Sequence, residues 1–245
     1  MSLPMNVHPE FEVELPSSKI LGTPSKIKIR PFLVKEQKIL FMAFEGKDSE
    51  EIKNSVIQVL NNCVLGEGID IEALPFFDID YLFLQLRGKS IGESVQVRLV
   101  HQNNEECEHV HELEVNVDDI KVVFPEEHTS KIMVNDNIGI EMHYPSMKMY
   151  SNMEGVLSKD EPSAQDVIDL IKVCAKCIYD QNDVYDDYTD EELEAWIENL
   201  TQDQFMKIVD FFRTMPSLSK EFKWTCPECK VEEEVTVKGL VNFFT

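Results

Sequence analysis

The residues best suited to chemistry are two cysteines near the carboxyl end, Cys226 and Cys229, in the sequence Cys-Pro-Glu-Cys. Segments rich in valine and aromatic residues lie on both sides of them, which predicts a β-hairpin with the cysteines at its tip. Cysteines with this spacing on a hairpin are typical of one half of a zinc ribbon. Because a structural zinc ion normally takes four protein ligands, two more must come from elsewhere in the chain.

A second hairpin is predicted to supply the other two ligands. Apolar and polar residues alternate over 94–100 and again over 112–117, which is the pattern of two antiparallel strands. The residues between these strands include four potential ligands: His101, Cys107, His109 and His111. We favour His101 and Cys107, because they follow the first strand as the C-terminal pair follows its own strand. The same order of strand, candidate ligands, acidic strand and apolar segment over 96–120 and 222–244 also suggests an internal repeat.

Two other interpretations of the cysteines stay open at the level of sequence. Cys174 and Cys177 form a Cys-Ala-Lys-Cys motif, but a redox pair would begin a helix, where the helix dipole lowers a thiol pKa, whereas this pair comes late in a predicted helix. Alternatively, the thiols are core residues without chemistry, as we expect for Cys63 in its apolar surroundings. Free thiols are more common than disulfides in a reducing compartment.

Hydrophobic periodicity predicts an α+β fold. An edge-like strand near Ile27 precedes two helices, one from Val34 to Gly46 and one over 50–62 capped by Asp48 or Ser49. A third helix is predicted within 70–88, with Gly88 as its C-cap. The expected fold is therefore one of helical hairpins with short antiparallel β-hairpins, ending in a C-terminal hairpin that resembles a zinc knuckle.

The C-terminal part of the chain is predicted to be mostly helical. Capping boxes are expected at Ser163, where the helix continues toward Ile178, and at Thr201, and a similar cap is expected at Thr189. The acidic segment 180–187 is expected to be a solvated loop. We place a domain boundary after Pro145, which gives an N-terminal α+β domain (1–145) and a C-terminal helical region ending in the Cys-x-x-Cys hairpin (146–245).

Composition argues against several classes of function. The 245 residues include 46 acidic and 23 basic side chains, for a formal net charge of −23, so a nucleic-acid-binding surface is not expected. No apolar run is long enough to span a bilayer, and no signal peptide is apparent, so we expect a cytosolic protein without membrane contact. No nucleophile elbow, phosphate-binding loop or zinc-protease motif is present, so we expect a protein that is not an enzyme.

Runs of acidic residues are expected at the surface, and pairs of adjacent phenylalanines are expected mostly in the core. The acidic clusters at 105–106, 126–127 and 232–234 are expected to be solvated, or to face a basic partner. Three pairs of adjacent phenylalanines, at 76–77, 211–212 and 243–244, are expected to be mostly core, although any of them could form a binding surface.

Several segments together resemble the baseplate hub and hub-assembly proteins of T-even-like contractile-tailed bacteriophages. The similarity runs in order from about residue 26 to 245 and contains no catalytic motif. The segments that carry it are IKIRPFLVKEQKILFMAFE, VIQVLNNCVLG, LPFFDIDYLFLQLRGKSIGESV, IGIEMHYPSM, ENLTQDQFMKIVDFFRTMPSL, KWTCPEC and GLVNFF.

This resemblance implies a non-enzymatic role in the tail. The protein would be a subunit of the baseplate hub, or an assembly factor or chaperone for it, made late in infection. It would bind other hub and tail proteins in the host cytoplasm and either remain in the virion or leave. The alternative is a zinc-ribbon-type regulator or host-directed adaptor, which would require a basic groove around the cysteines.

Overall fold

The computed structural model of the protein describes residues 6–21, 26–46, 48–66, 68–101, 107–150 and 163–239, and shows a mixed α+β fold with antiparallel sheets. This confirms the predicted α+β class. The α-helices are α1 (Ser18–Leu21), α2 (Val34–Gly46), α3 (Ser49–Cys63), α4 (Phe76–Ser90), α5 (Met147–Tyr150), α6 (Ala164–Cys174), α7 (Asp190–Glu198) and α8 (Gln202–Arg213). The strands are β1 (Phe11–Glu14), β2 (Lys26–Ile29), β3 (Val64–Leu65), β4 (Ser94–Leu99), β5 (His111–Asn116), β6 (Lys121–Val123), β7 (Lys131–Met133), β8 (Gly139–Met142), β9 (Ala175–Tyr179), β10 (Val184–Tyr185), β11 (Ser217–Thr225) and β12 (Glu232–Lys238). Among these residues, no helix is long and apolar enough to cross a membrane.

The chain divides into two compact units. The first comprises Met1–Ile71, Phe77–Val123 and Ser217–Thr245, and the second comprises Glu72–Phe76 and Phe124–Pro216. The first unit contains the sheets β1-β2-β3, β4-β5 and β12-β11-β6, and the second contains β10-β9-β8-β7. The predicted domains, 1–145 and 146–245, stay predictions. The C-terminal hairpin belongs to the first unit because β11 pairs with β6.

The predicted helical hairpin of the first unit is confirmed in α2 and α3. The Asp48 carboxylate accepts hydrogen bonds from the amides of Glu50 and Glu51, both at 2.9 Å, which is the expected N-cap. The strand near Ile27 was predicted to lie at an edge, and this is wrong. Strand β2 is central, because β1 pairs with one side of it and β3 pairs with the other.

Helix α4 is the buried helix predicted within residues 70–88, but it does not end at Gly88. It continues to Ser90, and Gly88 lies inside it against Val117, where an added Cβ would lie 3.2 Å from a Val117 methyl carbon. The glycine therefore permits close packing of the helix, whereas the sequence alone suggested a C-cap. Leu82, Leu84 and Leu86 are completely buried along the same helix.

In the second unit the predicted helix starts are confirmed, and one predicted helix end is wrong. Ser163, Thr189 and Thr201 each form a reciprocal capping box at α6, α7 and α8. Helix α6 ends at Cys174, and Ile178 lies in strand β9, which pairs with β8. The four-residue spacing of these apolar side chains imitated a helix. The segment 180–187, predicted as a loop, contains the short strand β10.

A buried ion pair fixes the entry to helix α2. The Glu36 side chain is fully buried, and its carboxylate accepts hydrogen bonds from the Arg30 guanidinium (3.1 Å) and from the Leu33 amide (2.8 Å). Arg30 also donates to the carbonyl oxygens of Pro31 and Asn62, which tie it to the end of α3. Burial raises the pKa of Glu36, but these hydrogen bonds and the Arg30 charge outweigh burial and hold the pKa below its usual value.

We predict that Glu36→Ala lowers the free energy of unfolding by about 3–5 kcal/mol, because it leaves a largely buried arginine without its carboxylate. Lys35→Ala is the control, because the Lys35 side chain is 69% exposed and also contacts Glu36; it should change stability by less than about 0.5–1 kcal/mol. Because the folded-state pKa of Glu36 is lowered, its stabilisation is complete above the usual glutamate pKa of about 4.3 and is lost as pH falls through the folded value. Denaturant unfolding at several pH values measures both effects, and equal losses for the two variants would contradict this account.

Candidate metal centre

Two hairpin tips meet in the first unit. Strands β4 and β5 pair from Ser94 opposite Asn116 to Leu99 opposite His111, and strands β11 and β12 pair from Ser219 opposite Lys238 to Thr225 opposite Glu232. The predicted ligands lie in the two connections between these paired strands. His101 and Cys107 lie in the first connection, and Cys226 and Cys229 lie in the second.

The four predicted ligands are brought together, and their ligand atoms all lie within 4.8 Å of one another. The Cys107 and Cys226 sulfurs are 3.9 Å apart, and the Cys229 sulfur is 3.6 Å from Nε2 of His101. All six cysteines of the chain are free thiols. The four residues predicted from the sequence as ligands therefore lie together, although the two pairs are more than 100 positions apart in the chain.

The local backbone explains how Cys226 and Cys229 point in the same direction. The Cys226 amide donates to the Val231 carbonyl at 2.9 Å, and the Lys230 amide donates to the Cys226 carbonyl at 3.1 Å, which closes a tight turn. Lys230 adopts a positive φ of 63°, in the left-handed region that a non-glycine residue enters only in such turns. Within this turn the Glu228 amide donates to the Cys226 sulfur at 3.4 Å.

His101 is held by a buried carboxylate. Nδ1 of His101 lies 2.8 Å from Oε1 of Glu233, and both side chains are almost completely buried, at 1% and 0% exposure. When the imidazole is neutral and donates from Nδ1, the lone pair of Nε2 faces Cys229. The carboxylate thus fixes both the orientation of the ring and its tautomer.

Glu233 contacts the candidate ligand His101 and was not predicted from the sequence. The cluster 232–234 was expected to be solvated, and this is wrong for Glu233, which is 2% exposed while both neighbours are exposed. Burial alternates along β12, so that Glu233 lies on the same face as Val235 and Val237. The alternation of Val235 and Val237, continued two residues toward the N-terminus, would have predicted that Glu233 is buried. The expected solvation of residues 105–106 lies outside the described residues.

The other two histidines of the first connection are not part of the cluster. The His111 ring stacks on Trp224, with ring centroids 4.6 Å apart and an interplanar angle of 2°. His109 lies beside the carboxylate of Glu228, with Nδ1 3.5 Å from its oxygen. Neither imidazole is a member of the cluster, so their predicted alternative role as ligands receives no geometric support.

The environment of Cys226 favours the thiolate that a metal ion requires. Burial opposes ionisation, but hydrogen bonds from the backbone amides of Cys229 and Glu228, together with His101, lower the pKa of Cys226 to about 6. The hydrogen bond to Glu233 raises the pKa of His101. Three sulfurs and one imidazole nitrogen are a donor set typical of structural zinc sites.

The remaining thiols are buried and are not members of this cluster. Cys63 is completely buried, as predicted, and burial raises its pKa to about 11. Cys174 ends α6, and burial raises its pKa to about 12; Cys177 is in β9, where burial also raises its pKa. A redox pair requires a stabilised thiolate at the start of a helix, so this geometry opposes a redox role for Cys174 and Cys177.

Comparison with known proteins identifies one matching family. A family model described as "T4 bacteriophage base plate protein" matches residues 8–245, which is almost the whole chain. No curated protein and no solved structure gives a significant match.

We predict that Cys63, Cys174 and Cys177 resist alkylation in the native protein near neutral pH, because each is buried and its thiolate is disfavoured. Peptide mapping by mass spectrometry after brief treatment with iodoacetamide measures this directly. The same treatment in denaturant should label all six cysteines and is the control. Rapid labelling of Cys177 in the native protein would contradict the assignment of these thiols to the core.

Proposed function

Because the chain belongs to the T4 bacteriophage base plate protein family, we propose that it is a subunit of the baseplate hub or a factor that assembles the hub. It acts by binding other phage tail proteins. The family match over residues 8–245 carries this proposal, and it supports a location in the tail of the virion. The resemblance of several separate segments to hub and hub-assembly proteins supports the narrower assignment.

An apolar groove beside helix α2 is a suitable surface for such binding. It has a volume of about 440 Å³ and is lined by residues of α2 and by the end of α4. Phe41 and Ile91 line it and are 64% and 58% exposed. Val34 lies two helical turns before Phe41 on the same face of α2 and is 69% exposed. Contiguous exposed apolar residues of this kind mark interaction sites more often than isolated ones do.

The partner that best fits this groove is an apolar segment of another baseplate protein with lysine or arginine residues beside it. The apolar lining selects an apolar segment, and the family assignment selects a baseplate protein. The net charge of −23 favours a partner with a basic surface, because opposite charges accelerate encounter and disfavour wrong partners.

The alternative function, a zinc-ribbon-type regulator, receives less support. Recognition of nucleic acid depends on lysine and arginine neutralising phosphates. The side chains beside the hairpin cysteines include the carboxylates of Glu228, Glu232 and Glu234, and only Lys230 in that turn is basic. This surface would repel phosphates.

The function is tested by tagging the protein in infected cells and identifying co-purified proteins, and by mass spectrometry of finished particles. Tail proteins in the purification together with the protein in particles would establish a structural subunit. Tail proteins without retention in particles would establish an assembly factor. If no tail protein co-purifies with the tagged protein and the tagged protein is not found in particles, the hub proposal is wrong.

We predict that Phe41→Glu lowers the yield of co-purified tail proteins at least about tenfold, because a carboxylate in the groove would have to be desolvated on binding. Val184→Glu is the matched control: Val184 is also 64% exposed but lies in β10 of the second unit and does not line the groove. Both variants should remain folded, with stability changes within about 0.5 kcal/mol, since both side chains are on the surface. Equal yields for the two variants would exclude this groove as the binding surface.

A further inference from the structure

We propose that His101, Cys107, Cys226 and Cys229 bind one zinc ion, which joins the β4–β5 hairpin to the β11–β12 hairpin. The ligands are three thiolates and Nε2 of His101. The site is structural and independent of which tail protein the chain binds.

Two of the six distances between ligand atoms match those of a tetrahedral zinc site, and all six are within 4.8 Å. With zinc–sulfur bonds of about 2.3 Å and zinc–nitrogen bonds of about 2.0–2.1 Å, tetrahedral angles place two sulfurs about 3.8 Å apart and a sulfur about 3.6 Å from a nitrogen. The observed separations are 3.9 Å between the Cys107 and Cys226 sulfurs and 3.6 Å between the Cys229 sulfur and Nε2 of His101. The sulfur separation is far too long for a disulfide bond of about 2.05 Å.

The donor set selects zinc and a structural role. Thiolate and imidazole ligands in a tetrahedral arrangement favour zinc over magnesium, calcium or manganese, which take oxygen ligands. Four protein ligands complete the coordination of zinc and leave no open position for water or substrate. Such a site stabilises a fold and does not perform catalysis.

The groups around the ligands complete the site. Glu233 accepts the hydrogen bond from Nδ1 of His101, so that Nε2 is directed at the metal, and this carboxylate–histidine arrangement is the usual outer shell of a zinc-bound histidine. The Glu228 amide donates to the Cys226 sulfur and offsets part of the negative charge of three thiolates. A buried glutamate on the core face of a strand is costly unless it is paired. Orienting a zinc ligand would explain why this carboxylate is buried despite the energetic cost.

The cluster lies between two sheets for which the described part of the chain shows no backbone pairing with each other. Among the described residues, β4 pairs only with β5, whereas β11 pairs with β12 and β6. Trp224, beside the cluster, packs against His101 and His111, with ring centroids 5.0 and 4.6 Å apart. A zinc ion would therefore be the strongest connection between the tips of the two hairpins.

The test begins with the full chain purified without added metal and without chelator. We expect one zinc per chain by elemental analysis, and an X-ray absorption spectrum that fits three sulfurs at about 2.3 Å and one nitrogen at about 2.0–2.1 Å. The spectrum is recorded on the unaltered protein, so it does not depend on whether a variant folds. Folded protein that contains no zinc and takes up none, or zinc with a different ligand shell, would overturn the proposal.

Matched variants then identify the ligands and their support. His101→Gln should lose zinc, whereas His109→Gln, in the same connection, should keep one zinc per chain. Glu233→Gln should weaken zinc binding about 10–100-fold in a chelator competition, as loss of an outer-shell partner does elsewhere, and its exposed neighbour Glu234→Gln should leave affinity unchanged. The proposal is overturned if His109→Gln loses zinc while His101→Gln retains it. It is also overturned if the two glutamate variants behave alike.

Discussion

The hydrogen bond between Glu233 and His101 is a buried contact that joins the two hairpins of the first unit which carry the candidate ligands. A carboxylate that lies on the core face of β12 has to be paired, and the imidazole 2.8 Å away is its observed partner. That pairing requires His101, the second residue after strand β4, to reach the β11–β12 hairpin. The same contact orients the His101 ring so that Nε2 faces Cys229, and in the same cluster the Cys107 sulfur lies 3.9 Å from that of Cys226. One buried carboxylate thus contacts a ligand of the other hairpin and fixes the orientation of its ring.

Local sequence patterns predicted the elements whose cause is local. Capping boxes at Ser163, Thr189 and Thr201 and the N-cap at Asp48 predicted helix starts, because side chain and backbone partners lie within three residues. The elements that were predicted wrongly depend on distant partners. Strand β9 exists because β8 lies beside it, β2 is central because β3 reaches its second side, and α4 passes Gly88 because Val117 packs there. No pattern within a short window contains those partners.

The four candidate ligands were also predicted from local patterns, whereas the buried glutamate beside them was not. Cysteine spacing and the two hairpin patterns are visible in the sequence, and they were sufficient to choose His101 and Cys107. Glu233 was missed because three consecutive glutamates suggest solvent, although strand alternation places the middle one inward. The grouping of the C-terminal hairpin with the first unit was also missed, because only the pairing of β11 with β6 shows it.

The chain order makes the link between the hairpins a demanding step in folding. Cys107 and Cys226 are 119 positions apart, and the residues of the second unit lie between them. Closing a loop of that span costs conformational entropy, and pairing between distant segments slows folding. A covalent cross-link across a span of about 100 residues stabilises by about 4–5 kcal/mol in the chain-entropy model. The proposed zinc ion, held by both hairpins, would likewise reduce the conformational entropy of the unfolded chain. Its stabilising effect would matter most here, because the described residues show no backbone pairing between the two hairpins.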